Sequence, residues 1–251
     1  MILMGVVNLT PDSFRPETRA MSLEAAQLRI ADLVSRGCSI IDFGAVSTRP
    51  GAADVPVEEE WRRLEPVLAA SEMGGIPSQE GCGAVGEGIP AVSIDTTSAE
   101  IVRRANGLIG RFLVNDISAG EDDPAMLDTV AELGLPYVAM HKRGNPRSMD
   151  ALTDYPQGVV KAVDEYFEGF AAKAEALGIK DWILDPGFGF SKTAEQNWEL
   201  LENLPSFRHF GRPILVGVAD KRFTHTPNPF GSCQNAEQLA AERGADILRI
   251  H

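Results

Sequence analysis

Eight short apolar runs in this 251-residue chain each lead into a hydrogen-bonding or charged residue, and those residues are the ones that could do chemistry. The first run leads to Asn8, with Thr10, Asp12 and Ser13 behind it; the second leads to Ser47, Thr48 and Arg49; the third ends at Asp95 and the fourth at Asn115 and Asp116. The fifth ends at Met140 and His141, the sixth at Asp185, the seventh leads to Lys221, and the eighth carries Arg249 and His251. Taken singly, each has an ordinary structural use. Asp95 can cap a helix, Asn115 and Asp116 can form an Asx-turn, and Asp185 before Pro186 and Gly187 can start a turn. Brought to one mouth, they need a ligand, water or ions to satisfy them. Arg49, Arg249 and His251 would offer cations and donors to an oxyanion such as pyrophosphate, and Asn8 an oxygen to a Mg2+ bridging it. Asp95, Asn115 and Asp185 would offer acceptors and an amide to a flat, nitrogen-rich heterocycle with adjacent N–H donors. A phosphorylated heterocycle is the ligand class that suits the set.

The elements that must position these residues are legible as an alternation. ILMGVV, SIIDF, AVSID, FLVND, YVAM, WILD, PILVG and DILRI are predicted strands, apolar enough to be buried on both faces. Between them, segments such as LEAAQLRIADLVSRG, VEEEWRRLEPVLAAS, SAEIVRRAN, PAMLDTVAELG, VVKAVDEYFEGFAAKAEALG and TAEQNWELLENL carry helical periodicity, several closing on a Gly that fits a C-terminal cap. Strict strand–helix alternation without a GxGxxG after the first strand favours a closed α/β barrel, the (β/α)8 TIM barrel, over a doubly wound sheet. In such a barrel the active site is built from the C-terminal ends of the strands, where the polar residues above stand. No repeat or linker divides the chain, so one domain over residues 1–251 is expected. The eighth strand runs into His251, so the eighth helix is expected to be missing. The Gly-rich stretch from Met73 to Pro90 follows a helix and precedes a strand, which assigns it to the opposite face as a mobile surface loop without function.

Composition narrows the classes further. With 44% hydrophobic and 24% charged residues the composition is that of an ordinary soluble globular protein. A net charge of −13 repels nucleic-acid phosphates and anionic lipid, so an anionic substrate must meet a local cluster of cations, and no nucleic-acid partner is expected. Cys38, Cys82 and Cys233 lack the spacing of a zinc site or a disulfide framework and are expected to be reduced thiols. The N-terminus lacks a basic leader, and no apolar run approaches the roughly 20 residues needed to span a bilayer, so a cytoplasmic protein with no membrane partner is expected.

Eight ordered motifs carry a resemblance to a known family. MGVVNLTPDSF resembles the G-I-L-N-V-T-P-D-S-F opening of dihydropteroate synthases, and DFGAVSTRPGA resembles their D-V-G-G-E-S-T-R-P-G-A; SIDT, LVNDIS, VAMHKRGNPRSM, ILDPGFGFSKTAEQN, LVGVADKRF and GADILRIH follow in the family's order over nearly the whole chain. The resemblance implies that the small-molecule substrates are a dihydropterin pyrophosphate and p-aminobenzoate, with Mg2+ as cofactor, and it leaves a homodimer open. It implies a pterin pocket of Asp95, Asn115, Asp185 and Lys221 lined by Met140, Phe190 and Gly217. Asn8, Arg249 and His251 would hold pyrophosphate and Mg2+, with Asn8 as the metal's ligand, while Thr48 and Arg49 would sit on a mobile loop that closes over the site. Lys221, Arg249, His251 and Asp185 become the residues implied in catalysis. In the family the pyrophosphate leaves first, and the aniline nitrogen of p-aminobenzoate then attacks the exocyclic carbocation, so stabilising the leaving group's charge is the main task of the protein.

Two motifs depart from the family pattern. After strand 7 the run reads Val218, Ala219, Asp220, Lys221, Arg222, Phe223 where the family has S-T-S-R-K-S-F, so Lys221 is kept while Asp220 and Arg222 are new. In the family the position of Arg222 lies where the p-aminobenzoate carboxylate docks, which makes Arg222 the candidate partner of that carboxylate. In the loop after strand 2, Ala45 and Val46 replace Gly-Glu. Three functions therefore compete: the synthase itself, a pterin-binding paralogue without condensing activity, and a methyltetrahydrofolate methyltransferase barrel. Arg249 and His251 speak against the second, and the NLTPDSF and STRPGA loops against the third.

Overall fold

The inward-facing residues of the strands fall into layers, and the layers place the site. The computed structural model describes residues 1–10, 23–47, 54–70, 90–145, 148–231 and 233–251. Its strands are β1 (Ile2–Asn8), β2 (Ile40–Gly44), β3 (Ala91–Asp95), β4 (Leu113–Asp116), β5 (Tyr137–Met140), β6 (Trp182–Asp185), β7 (Leu215–Val216) and β8 (Ile247–Ile250). Between them run α1 (Leu23–Ser35), α2 (Val57–Ala70), α3 (Ala99–Ile109), α4 (Met126–Leu133), α5 (Val159–Leu177), α6 (Ala194–Glu202) and α7 (Ala236–Glu242). All strand pairs are parallel, in the order β6-β5-β4-β3-β2-β1-β8-β7. The ends of that order meet where Leu184 bridges Ile214 and its N–H donates to the Pro213 carbonyl at 3.0 Å, which closes the (β/α)8 barrel expected from the sequence.

Side chains alternate in and out along a strand. Met4, Ile40, Ala91, Leu113, Val138, Ile183, Leu215 and Ile247, one from each strand, form a buried plug at the bottom of the barrel. Each such burial is worth roughly 1.5–3 kcal/mol for the larger side chains, so the plug anchors a layer of polar groups above it. The residues two positions further on share that face, and they are Val6, Asp42, Ser93, Asn115, Met140, Asp185, Gly217 and Arg249. The outward set, including Val7, Ile41, Phe43, Val92, Val114 and Leu184, packs under the helices with Leu64, Ile101, Phe167 and Trp198.

Local signals explain the helix ends. Ser98 caps α3 by accepting from the Ile101 N–H, so Asp95 is not the cap that its position allowed. Thr193 and Gln196 form a reciprocal capping box on α6. Gly134 and Gly178 close α4 and α5 in the left-handed conformation that a C-terminal glycine supplies cheaply. α7, capped by Asn235, and the 3-10 turns at 149–151, 204–210 and 222–225 are additions to the elements legible in the sequence. Most of the 73–90 stretch, with Cys82, lies outside the described residues, as do Asp12, Ser13, Thr48 and Arg49. Cys38 and Cys233 are free thiols, and no helix among the described residues is long and apolar enough to cross a membrane.

Candidate active site

Asp95, Asn115, Met140, Asp185, Phe190, Gly217, Lys221, Arg249 and His251 line one pocket at the C-terminal ends of the strands, together with Ile117, Phe188 and Ala219. The pocket opens into a mouth of about 1110 Å3, large enough for a second substrate, whose walls add Asn8, Thr10, Ser47, Asp150, Lys192, Asp220 and Arg222. Every described residue that the sequence assigns to pterin or pyrophosphate therefore stands around one cavity. Two residues at strand ends do not. Asp116 turns away to bind the Ser118 and Gly120 N–H groups and the Tyr137 hydroxyl, the last at 2.6 Å, which fulfils the turn-forming reading for that residue. His141 is buried beside the site, its Nδ1 2.9 Å from the Lys192 ammonium, and burial with the Lys192 and Arg143 charges holds its pKa far below the usual imidazole range.

The polar layer is knitted by a residue that an inspection of strand ends overlooks. Asp42, in the middle of β2 and fully buried, accepts from Ser93 Oγ at 2.7 Å, Asn115 Nδ2 at 3.1 Å and Arg249 Nε at 2.8 Å. Arg249 Nη2 also donates to Asp95 at 3.0 Å, so two acids share one guanidinium. Burial opposes the charge on Arg249, but Asp42 and Asp95 outweigh it and raise its pKa. Burial, opposed by Arg249 and reinforced by Asp42, raises the pKa of Asp95. A period-two count along Ile40, Asp42 and Gly44 is the sequence signal that points Asp42 into the barrel.

The loop after β6 is set by its own backbone needs. Asp185 Oδ1 accepts from the Gly187 N–H at 2.8 Å, and burial, opposed by that bond and by Lys221, lifts its pKa to about 6. Gly187 has φ +73°, and a Cβ there would lie 1.9 Å from the His141 carbonyl oxygen, so only glycine fits. Lys192 Nζ, 9% exposed, donates to the carbonyls of Gly187 at 2.9 Å and Phe190 at 3.0 Å, tying the loop to β5 through His141. Burial pulls the Lys192 pKa down to about 7. Asn197 of α6 accepts from the Gly189 N–H at 2.7 Å. The loop thus holds Phe190 against the pocket, where the Lys221 ammonium sits 4.6 Å from its ring centroid in a cation–π arrangement. Lys192 and Asn197 were not singled out in the sequence, although the SKTAEQN run contains both.

At the mouth, Arg222 is 80% exposed and pairs with Asp150 at 3.1 Å, joining the 3-10 turn after β7 to the one after β5. It lines the mouth and not the inner pocket. Asp220 beside it has φ +54°, a conformation that costs an aspartate about 1 kcal/mol or more. Among the described residues no group of three His, Cys, Asp or Glu side chains could cage a metal. Asn8 Oδ1 and Asp95 Oδ2 each lie 3.7 Å from where a Cβ on Gly44 would stand, so both oxygens overlook one side of the mouth. Mg2+ usually keeps waters and takes substrate phosphate oxygens plus one or two protein oxygens, so this donor set fits an ion carried in on a pyrophosphate.

The family model of pterin-binding enzymes matches residues 4–251 of this chain. A dihydropteroate synthase from Synechocystis sp. is 39% identical over 260 residues, covering 99% of this chain and 84% of the relative. The crystal structure of the Yersinia pestis dihydropteroate synthase in a sulfonamide drug complex superposes with a TM-score of 0.83 at 32% identity, covering 100% of this chain and 88% of that one. The dihydropteroate synthase of Xanthomonas albilineans with 4-aminobenzoic acid superposes with a TM-score of 0.80 at 35% identity, covering 100% and 87% of the two chains.

Proposed function

The chain belongs to the pterin-binding enzyme family and is a dihydropteroate synthase, a transferase, and we propose that its barrel mouth joins 6-hydroxymethyl-7,8-dihydropterin pyrophosphate to p-aminobenzoate. The observation that carries this reading is the single cavity that gathers Asp95, Asn115, Asp185 and Lys221 beside Arg249 and His251. The carboxylates and the Asn115 carbonyl accept from the N–H edge of the pterin, and Phe190 and Met140 close on its faces. Arg249 and His251 stabilise the charge that collects on pyrophosphate as the exocyclic C–O bond breaks and the electron pair leaves with oxygen. The aniline nitrogen then attacks the carbocation, forms the C–N bond and loses its proton to solvent.

Lys221 stands between the two halves of the site, flanking the pterin wall through Phe190 and the mouth through its neighbour Arg222. Asn8 would hold a Mg2+ that neutralises the pyrophosphate. Arg222 would meet the p-aminobenzoate carboxylate in exchange for Asp150. Thermal melting tests the reading: 6-hydroxymethylpterin and Mg2+-pyrophosphate should each raise the Tm, because a ligand that binds only the folded state at a hundred times its Kd adds about 2.7 kcal/mol. The Mg2+-dependent part should shrink in Asn8→Ala. A protein that ignores pyrophosphate at all Mg2+ concentrations contradicts the assignment of Asn8, Arg249 and His251.

A further inference from the structure

We propose that Asp42, which touches no ligand space, is a positioning residue that sets the hydrogen-bonding polarity of the cavity by fixing which way the Asn115 amide points. The inference rests on the reading of the cavity as a pterin pocket. Asp42 is fully buried in the middle of β2, in the same inward layer as Asn115 and Arg249, and lines neither the inner pocket nor its mouth. Its partners are all on the inward face of the barrel: Ser93 of the adjacent β3, and Asn115 of β4 and Arg249 of β8, each two strands away.

An Asn side chain can present either its carbonyl oxygen or its NH2 group, and the two demand opposite ligands. Both Asp42 oxygens are acceptors here, Oδ1 of the Ser93 hydroxyl and Oδ2 of the Arg249 guanidinium 2.8 Å away. The Asn115 atom 3.1 Å from Asp42 Oδ2 must therefore be the nitrogen, which leaves the carbonyl oxygen for the cavity that Asn115 lines. Removing Asp42 frees the amide to rotate, and the NH2 group can then face the pterin's own N–H donors. The same carboxylate anchors Arg249 by Nε while Nη2 reaches Asp95, so one buried acid aligns an acceptor for the heterocycle and a cation for the leaving group.

Asp42→Asn separates charge from geometry. Ser93 Oγ donates to Oδ1 and can turn its hydroxyl to accept an NH2 there, while the remaining oxygen still accepts from Asn115 and Arg249. Titration calorimetry with 6-hydroxymethylpterin, on proteins whose folding is checked by circular dichroism, reads the outcome. Asp42→Ala should weaken binding by about tenfold or more, the scale of one buried hydrogen bond left unmade, and Asp42→Asn by no more than about threefold.

Asn115→Asp supplies a readout that a merely structural role would not move. In the wild type it sets two carboxylates face to face and weakens pterin binding. In Asp42→Ala it offers the cavity an acceptor whichever way it turns, and it should restore binding. That reversal of sign supports the proposal, and additive effects of the two substitutions overturn it. Asp42→Asn binding as weakly as Asp42→Ala overturns it as well. A wild-type protein that binds no pterin would instead bring down the reading of the pocket, and this inference with it.

Discussion

Replacing Asp185 by Asn should weaken pterin binding and strengthen the fold in the same protein. Asp185 is 8% exposed and spends Oδ1 on the Gly187 N–H at 2.8 Å. An Asn at this position must keep its single oxygen on that N–H, since Gly187 is held in place by the Lys192 ammonium on its carbonyl at 2.9 Å. The NH2 group then replaces the second carboxylate oxygen at the cavity and meets the pterin's donors with a donor. The loss combines a charge-assisted hydrogen bond with an unsatisfied donor, about 3–5 kcal/mol and more than a hundredfold in Kd. Stability moves the other way. The carboxyl's pKa rises on folding from 3.8 to about 6, so the folded state binds this proton more tightly than the unfolded one. Stability from this group is full below pH 3.8, declines as pH rises through the window, and is gone above about 6. The charged group therefore costs the fold on the order of 2–3 kcal/mol at neutral pH, a cost that the neutral Asn avoids. Titration calorimetry with 6-hydroxymethylpterin and melting curves at pH 7.5 and pH 4 check both halves. The variant should melt several degrees higher at pH 7.5 and near the wild type at pH 4. Pterin affinity within threefold of the wild type, or a lower Tm at pH 7.5, would refute the reasoning.

Arg222→Ser should raise the KM for p-aminobenzoate by about two- to fivefold with pterin affinity unchanged, because an ion pair on a side chain 80% exposed is screened by solvent. Asp150→Asn should lower that KM by removing the competing acid, and steady-state kinetics at saturating pterin pyrophosphate reads both. Gly187→Ala should cost more than about 2 kcal/mol, since it combines a left-handed backbone with a backbone clash at 1.9 Å, and thermal melting will show it. Lys192→Met should lower both Tm and pterin affinity by leaving the Gly187 and Phe190 carbonyls without their donor, and a melt paired with calorimetry checks it.

The barrel was legible because both signals it needs are local: apolar runs of strand length and amphipathic segments between them. The site was legible wherever a polar residue ends such a run, as at Asn8, Asp95, Asn115, Asp185 and Arg249. Position alone could not decide between Asn115 and its neighbour Asp116, whose side chains face opposite sides of the sheet. Asp42 escaped because it interrupts the middle of an apolar run, where only strand parity shows that it faces inward. Lys192 escaped because its role depends on carbonyls of a folded loop, which no sequence spacing displays. The exposure of Arg222 also depends on the turn at 222–225, so its weight as a carboxylate partner emerged only with the fold. α7 is seven residues long and was masked by its length, although Asn235 and Gln238 mark its start.

Paired quantification of pyrophosphate and dihydropteroate, from 6-hydroxymethyl-7,8-dihydropterin pyrophosphate with Mg2+ in the presence and absence of p-aminobenzoate, tests the proposed reaction most directly. The site predicts one dihydropteroate formed for each pyrophosphate released when p-aminobenzoate is present, with Arg249→Ala abolishing both. Pterin binding without any dihydropteroate formation, at any p-aminobenzoate concentration, would contradict it and make the chain a pterin-binding protein that lacks the condensing step.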